Sequence, residues 1–322
     1  MKVSALFLVA SLGVVCTTPA AEPEYDAVEK WLKPAPGQET LGPAHGDVAV
    51  SENGDVYVSV LNSPNGGIQV FNANGEYLRN VPDAPNDFHG FVIHKEAGGE
   101  FIYGARLSGQ TILKMQLDGK VVLQIDGSLI PGEFVREIKG KPTLRLTAVD
   151  VAPDGRIFAV DGYSSDMIHI FSVEGQYLQS FGGKKAPYSF KTCHKIAIDT
   201  RFDPPQIICV DRENRRVVQL SIDGEVLNVI PDMKRPAAVA IHGDLAAIAE
   251  IEGRVSLIDK AGKTVRTVGH NTVKEQTATN KVKPEDWRTG ILMAPHGLDF
   301  DSHGNLFVTE YSIYGRVVRY DQ

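Results

Sequence analysis

The sequence predicts an all-β fold, a six-bladed β-propeller whose blades are four-stranded antiparallel sheets. Three observations predict it. One pattern recurs six times, at intervals of roughly 40–50 residues: strand, Gly turn, strand, polar loop, strand, Gly turn, strand. Many of its turns are Asn-Gly or Asp-Gly pairs between alternating apolar runs, which suit hairpins because both positions take positive φ. The sixth repeat ends at Gln322 after its third strand. A closed ring then needs a strand from elsewhere, most simply from the segment before His45, and closure removes the exposed sheet edges.

The elements follow in chain order. Blade 1 opens at His45-Gly46-Asp47-Val48-Ala49-Val50, turns at Asn53-Gly54, continues through Val56-Tyr57-Val58 and turns again at Asn74-Gly75. Blade 2 starts near His89 and turns at Asp118-Gly119. Blade 3 has apolar runs at 149–151 and 157–160, with turns at Asp154-Gly155 and Glu174-Gly175. Blade 4 has runs at 196–198 and 207–210 and a turn at Asp223-Gly224. Blade 5 has runs at 239–241 and 246–249 and a turn at Ala261-Gly262. Blade 6 has 298–300, the turn His303-Gly304-Asn305 and 306–308. Two inserts interrupt the spacing, 126–142 between blades 2 and 3 and 270–293, which contains Trp287, between blades 5 and 6. Both join a fourth strand to a first strand, so both lie on one face of the ring, as solvated loops or as a rim or lid over a central pocket.

Composition narrows the function classes. The 322 residues carry 33 basic and 40 acidic side chains, a formal net charge of −7, which argues against the basic footprint of a nucleic-acid binder. Hydrophobic residues at 43% and charged residues at 23% exclude wholesale disorder. Residues 1–21 read as a signal peptide: Lys2 is the basic start, an apolar stretch runs to Val15, and Thr18-Pro19-Ala20 offers small residues for cleavage. The other reading is an N-terminal membrane anchor. The first reading makes residues 22–322 a single secreted or periplasmic propeller domain, with no membrane span after signal removal. Its remaining cysteines, Cys193 and Cys209, then lie where a disulfide is permitted.

The candidate site comes from aligning the blades on the inner apolar pair of the first strand. The residue two before that pair is Gly46, His89, Thr147, His194, Ala237 and His296 in blades 1 to 6. Histidine falls in alternate blades, about 120° apart around a six-bladed ring, with the innermost strands lining the channel. Three imidazoles converging there match a catalytic zinc set with an open fourth position. The plainer reading is three hydrogen-bonded turn residues. His45 is one residue out of register, which would turn it to the other face, so it reads as structural. His94, His169, His242 and His303 also miss the aligned position, and nothing places His270. At the ends of the second strands, Tyr163 and Arg212 should stand on the histidine face beside His194. Tyr163, its proton loosened by a metal and a guanidinium, would serve as a base; otherwise the two are rim residues.

Asp161-Gly162-Tyr163-Ser164-Ser165, the block Val210-Asp211-Arg212-Glu213-Asn214-Arg215-Arg216-Val217, and Pro295-His296-Gly297-Leu298 resemble the NHL-repeat propeller of the peptidyl-α-hydroxyglycine α-amidating lyases. The resemblance covers nearly all of the mature chain, and the Asp-Arg-Glu-Asn-Arg block is its most specific part. It implies a six-bladed ring with Zn2+ held by His89, His194 and His296, a catalytic Tyr163 and an active-site Arg212. The implied activity is cleavage of a carbinolamide C–N bond to an amide and glyoxylate, with a peptide or small molecule bound at the central channel of a monomer. The pattern is departed from in places. The family's calcium uses an Asp after the third histidine, where this chain has Gly297, so calcium is not expected. A second active-site arginine has no clear counterpart, and Arg106 is the candidate to replace it. Cys209 matches one cysteine of a family disulfide, and Cys193 is the candidate partner. Two other functions fit a similar ring: a metal-dependent hydrolase or lactonase, against which no inner carboxylate set stands out, and a non-catalytic NHL interaction module.

Overall fold

A computed structural model describes residues 24–61, 63 and 66–322. The predicted signal peptide at 1–21 lies outside the described residues. Six four-stranded antiparallel sheets follow one another around a ring, each running from an inner first strand to an outer fourth strand. Blades 1 to 5 are built from consecutive strands. Blade 6 takes its outermost strand from the N-terminal side, where Asp26–Val28 pairs antiparallel with Arg316–Asp321. The predicted closure by a strand before His45 is therefore borne out. In the hairpin turns only the glycine takes positive φ, +86° at Gly155 and +83° at Gly175, while Asp154 and Glu174 before them do not, so each glycine closes a four-residue turn that starts at Ala152 or Ser172. Among the described residues, no helix is long and apolar enough to cross a membrane.

The second strands show why this fold suits this sequence. Ile157-Phe158-Ala159-Val160 is apolar throughout and buried throughout. Alternation sends Ile157 and Ala159 toward blade 2 and Phe158 and Val160 toward blade 4. The hydrophobic core is correspondingly divided among the blade interfaces. Among the described residues, six apolar clusters each span two adjacent blades, including the pair that closes the ring, where Trp31 packs with Val48, Val58 and Phe307. Fourth strands such as Val226–Ile230 are largely exposed, as the outer edge of a blade should be.

A buried acid ends the second strand of four blades and ties down the loops on the histidine face. Asp161 accepts from Arg145 N and Ser165 N, Asp211 from Lys191 N, Glu250 from Lys234 N and Glu310 from Met293 N. In blades 4, 5 and 6 an arginine from the start of the third strand pairs with that acid: Arg216, Arg254 and Arg316. The Asp-Arg-Glu-Asn-Arg-Arg block thus contains two different jobs. Arg216 Nε donates to the wholly buried Asp211 at 2.7 Å. Arg216→Ala leaves that carboxylate short of a partner and is expected to cost about 1–3 kcal/mol of stability, read from the shift of the urea midpoint.

Both inserts lie on the histidine face. Residues 126–142 contribute to two short 3-10 turns and a hairpin, Arg136–Ile138 with Lys141–Thr143. Residues 270–293 are stitched to blades 5 and 6: Ala278 N donates to Ile251 O and Met293 O, and Ile313 N to Asn280 O. Trp287 stands away from the hub, with the Arg316 guanidinium 5.3 Å from its ring centre. Cys193 and Cys209 are joined in a disulfide within blade 4, Cα atoms 6.4 Å apart.

Candidate metal centre

The aligned position of the six blades behaves as one device at the hub. In blades 2, 4, 5 and 6 the pairing of first and second strands skips a residue: between Phe88 and Gly90, Cys193 and Lys195, Pro236 and Ala238, and Pro295 and Gly297. The skipped residues are His89, His194, Ala237 and His296. A bulge re-aims the side chain that it frees, here toward the axis. The ring centroids of the three imidazoles form a nearly equilateral triangle, with separations of 5.0, 5.0 and 4.9 Å.

The alternate blades supply what orients them. His89 Nδ1 lies 2.9 Å from Thr147 O, His194 Nδ1 2.5 Å from Ala237 O, and His296 Nδ1 3.1 Å from Gly46 O. Thr147, Ala237 and Gly46 are the aligned residues of blades 3, 5 and 1. A carbonyl can only accept, so each Nδ1 carries the proton and each Nε2 is left bare, the state a metal ligand needs. Burial and nearby positive charge, chiefly Arg212 and other imidazoles, hold all three pKa values well below the usual histidine range, so the rings stay neutral.

Tyr163 enters this triangle. Its Oη lies 2.9 Å from His194 Nε2 and 3.2 Å from His89 Nε2, while His296 Nε2 is buried without a hydrogen-bond partner. Arg212 Nη1 donates to the same Oη at 3.1 Å. Arg212 is itself held through Nε by Glu213, which also takes a hydrogen bond from Arg235. Burial pushes the Tyr163 phenol up; the Arg212 charge and hydrogen bond oppose this only in part, so with Arg212 alone beside it the phenol keeps its proton. A cleft opens beside Tyr163, lined by Ser164, Lys184, Lys191, Thr192 and Asn214.

Four expectations need correction or addition. His45 is not turned away from the hub. Its ring centroid is 5.0 Å from that of His89 and 4.7 Å from that of His296, and its Nε2 is 3.4 Å from Tyr163 Oη. Strand pairing in blade 1 begins only at Val48, so the alternation that excluded His45 does not extend to it. Arg106 is engaged in its own blade, with Nε donating to Asp87 at 2.8 Å and its guanidinium packed on Gly109; the arginine that meets Tyr163 is Arg212. Inner carboxylates do exist. Asp150 and Asp299 line the channel beyond the histidines, where each accepts a backbone N–H of the next blade, from Ile198 and Val50. At Gly297, a Cβ would stand 2.4 Å from Asp47 Oδ1, so the space for an acid after the third histidine is filled by Asp47, whose charge Lys195 answers.

No protein-family model matches the chain. A probable peptidyl-alpha-hydroxyglycine alpha-amidating lyase of Caenorhabditis elegans is 29% identical over 102 residues, which are 30% of this chain and 27% of that relative's length. Among solved structures, a streptogramin B lyase aligns with a TM-score of 0.59 and 13% identity, over 92% of this chain and 97% of that one. The virginiamycin B lyase of Staphylococcus aureus aligns with a TM-score of 0.58 and 13% identity, over 93% and 100%. Identities this low establish the fold alone. The chain is a six-bladed β-propeller that resembles, over part of its sequence, an α-amidating lyase.

Proposed function

We propose that the chain is a zinc-dependent carbon–nitrogen lyase acting on a carbinolamide, of which a peptidyl-α-hydroxyglycine is the reference substrate. The observation that carries this reading is the hub: bare Nε2 atoms of His89, His194 and His296 around the hydroxyl of a tyrosine gripped by Arg212. The donor chemistry fits. Neutral imidazoles suit zinc, and a buried Nε2 without a partner, as at His296, is costly unless something binds it. His89, His194 and His296 would hold the ion, and a bound zinc supplies Lewis acidity toward the substrate's oxygen.

The chain's own residues do the rest. Tyr163 enters the step as a phenolate steadied by Arg212 Nη1, its own proton having gone to solvent when the hub takes up its cation, and Oη then takes the proton of the substrate hydroxyl. The oxygen's electron pair forms the carbonyl of glyoxylate as the C–N bond breaks and its pair goes to nitrogen. The nitrogen recovers a proton from Tyr163, giving the amide. The cleft beside Tyr163 is the route for a peptide or small substrate. The disulfide supports an oxidising, exported location, in keeping with the signal peptide expected at 1–21.

Elemental analysis of purified signal-free protein is expected to find about one equivalent of zinc, and His194→Ala to lose most of it. Metal content unchanged by that substitution overturns the ligand assignment, and a protein without metal points to an interaction module. Incubation with an α-hydroxyglycyl peptide is expected to release glyoxylate; zinc without glyoxylate release points to the hydrolase reading.

A further inference from the structure

We propose that His45 is a fourth nitrogen donor at the hub, so that the resting site is a four-imidazole cage. This inference rests on the reading that the hub binds zinc. One ligand nitrogen from each of His45, His89 and His296 lies within 4.8 Å of the others. Donors to one zinc stand about 2.0–2.1 Å from it, hence about 3–4 Å from one another, so modest closure of the rings brings these three onto a shared ion. His194, a ligand on that reading, lies outside this group and is linked to it through Tyr163, whose Oη lies within 3.4 Å of the Nε2 atoms of His45, His89 and His194 alike.

The position is built. Ala44 and Ser312 exchange backbone hydrogen bonds of 2.9 Å, anchoring the His45 segment to blade 6. The His45 ring is flanked by Tyr311, centroids 4.5 Å apart. The next residue, Gly46, presents its carbonyl to His296 Nδ1. A Cβ at Gly46 would stand 2.3 Å from Ser59 Oγ on the second strand of its own blade and 3.1 Å from Phe88 O of blade 2, so the close backbone packing that brings His45 inward depends on glycine. One dipeptide thus orients one ligand and supplies another. Four protein donors would close the resting site, with the substrate's oxygen entering as a fifth ligand or in place of His45, and while bound His45 makes the ion harder to extract than three donors would.

The test is zinc affinity, measured by competition with a chromophoric chelator, on the full chain and on His45→Ala. The variant is expected to bind zinc at least about tenfold more weakly, since even outer-shell partners of zinc ligands are worth 10–100-fold. Affinity within twofold of the parent overturns the proposal while leaving the three-histidine reading intact. A parent that binds no zinc overturns both. Should His45→Ala fail to fold, X-ray absorption of the zinc-loaded parent decides: four imidazole scatterers support the cage, three overturn it.

Discussion

Tyr163→Phe is expected to lower turnover of an α-hydroxyglycyl peptide by about 10²–10⁴-fold, the usual value of a positioned proton-transfer group. The substitution removes one oxygen and leaves the ring, so the aromatic contacts with His89 and His194 remain. What disappears is the atom on which Arg212 Nη1 and the two imidazoles converge. The loss should fall on kcat, with KM changed far less, because the proton moves only in the transition state. Zinc content should stay at the parental value, which separates loss of the base from loss of the metal. Arg212→Ala is expected to be damaging as well, and the double variant scarcely worse than Tyr163→Phe alone, since the guanidinium acts through the phenolate. Full turnover in both single variants would end the catalytic assignment.

The residues at the hub differ in how far the sequence reveals them. His89, His194 and His296 were legible because a propeller repeats its geometry: aligning the blades on the inner apolar pair compares like with like. The other half of that device was invisible. Gly46, Thr147 and Ala237 act through backbone carbonyls, which carry no sequence signature. Alternation of faces excludes His45 in the sequence, but no strand runs through it, so the rule has no hold there. A better signal was present, since His45-Gly46 repeats the His-Gly of His89-Gly90 and His296-Gly297. Arg106 and Arg212 both stand at the end of a second strand. One meets an aspartate of its own blade and the other meets Tyr163, a difference of side-chain trajectory that strand position does not encode.

The blade architecture was more fully legible, because it follows from period-two patterning and turn chemistry, both local. Even the missing outer strand could be inferred, since an open ring leaves an unpaired edge. What local patterning could not supply was the traffic between blades: an acid of one blade answering the backbone or cation of another. Asp299 reaches Val50 N, 249 residues away in sequence, and Asp150 reaches Ile198 N.

The most consequential of these inter-blade contacts is the ion pair of Asp47 and Lys195, joining blades 1 and 4 across the channel directly beside the histidines. Their side chains are only 3% and 8% exposed. Lys195→Met is expected to destabilise the protein by about 3–5 kcal/mol, as breaking one half of a buried pair does, because Asp47 is left as an uncompensated buried charge. The double variant Asp47→Asn, Lys195→Met should recover part of that loss, since a buried pair often contributes little net stability against neutral groups. The pH dependence has a definite sign. Burial already raises the Asp47 pKa and Lys195 opposes it, so removing Lys195 raises it further. A folded carboxyl with a raised pKa binds its proton more readily than the unfolded one. Stability of Lys195→Met should therefore rise, relative to the parent, as pH falls from neutral toward the unfolded carboxyl's range. Urea midpoints at two pH values read this directly. A penalty independent of pH would assign the damage to lost packing instead of an uncompensated buried charge, and no penalty at all would show that the channel does not depend on the pair.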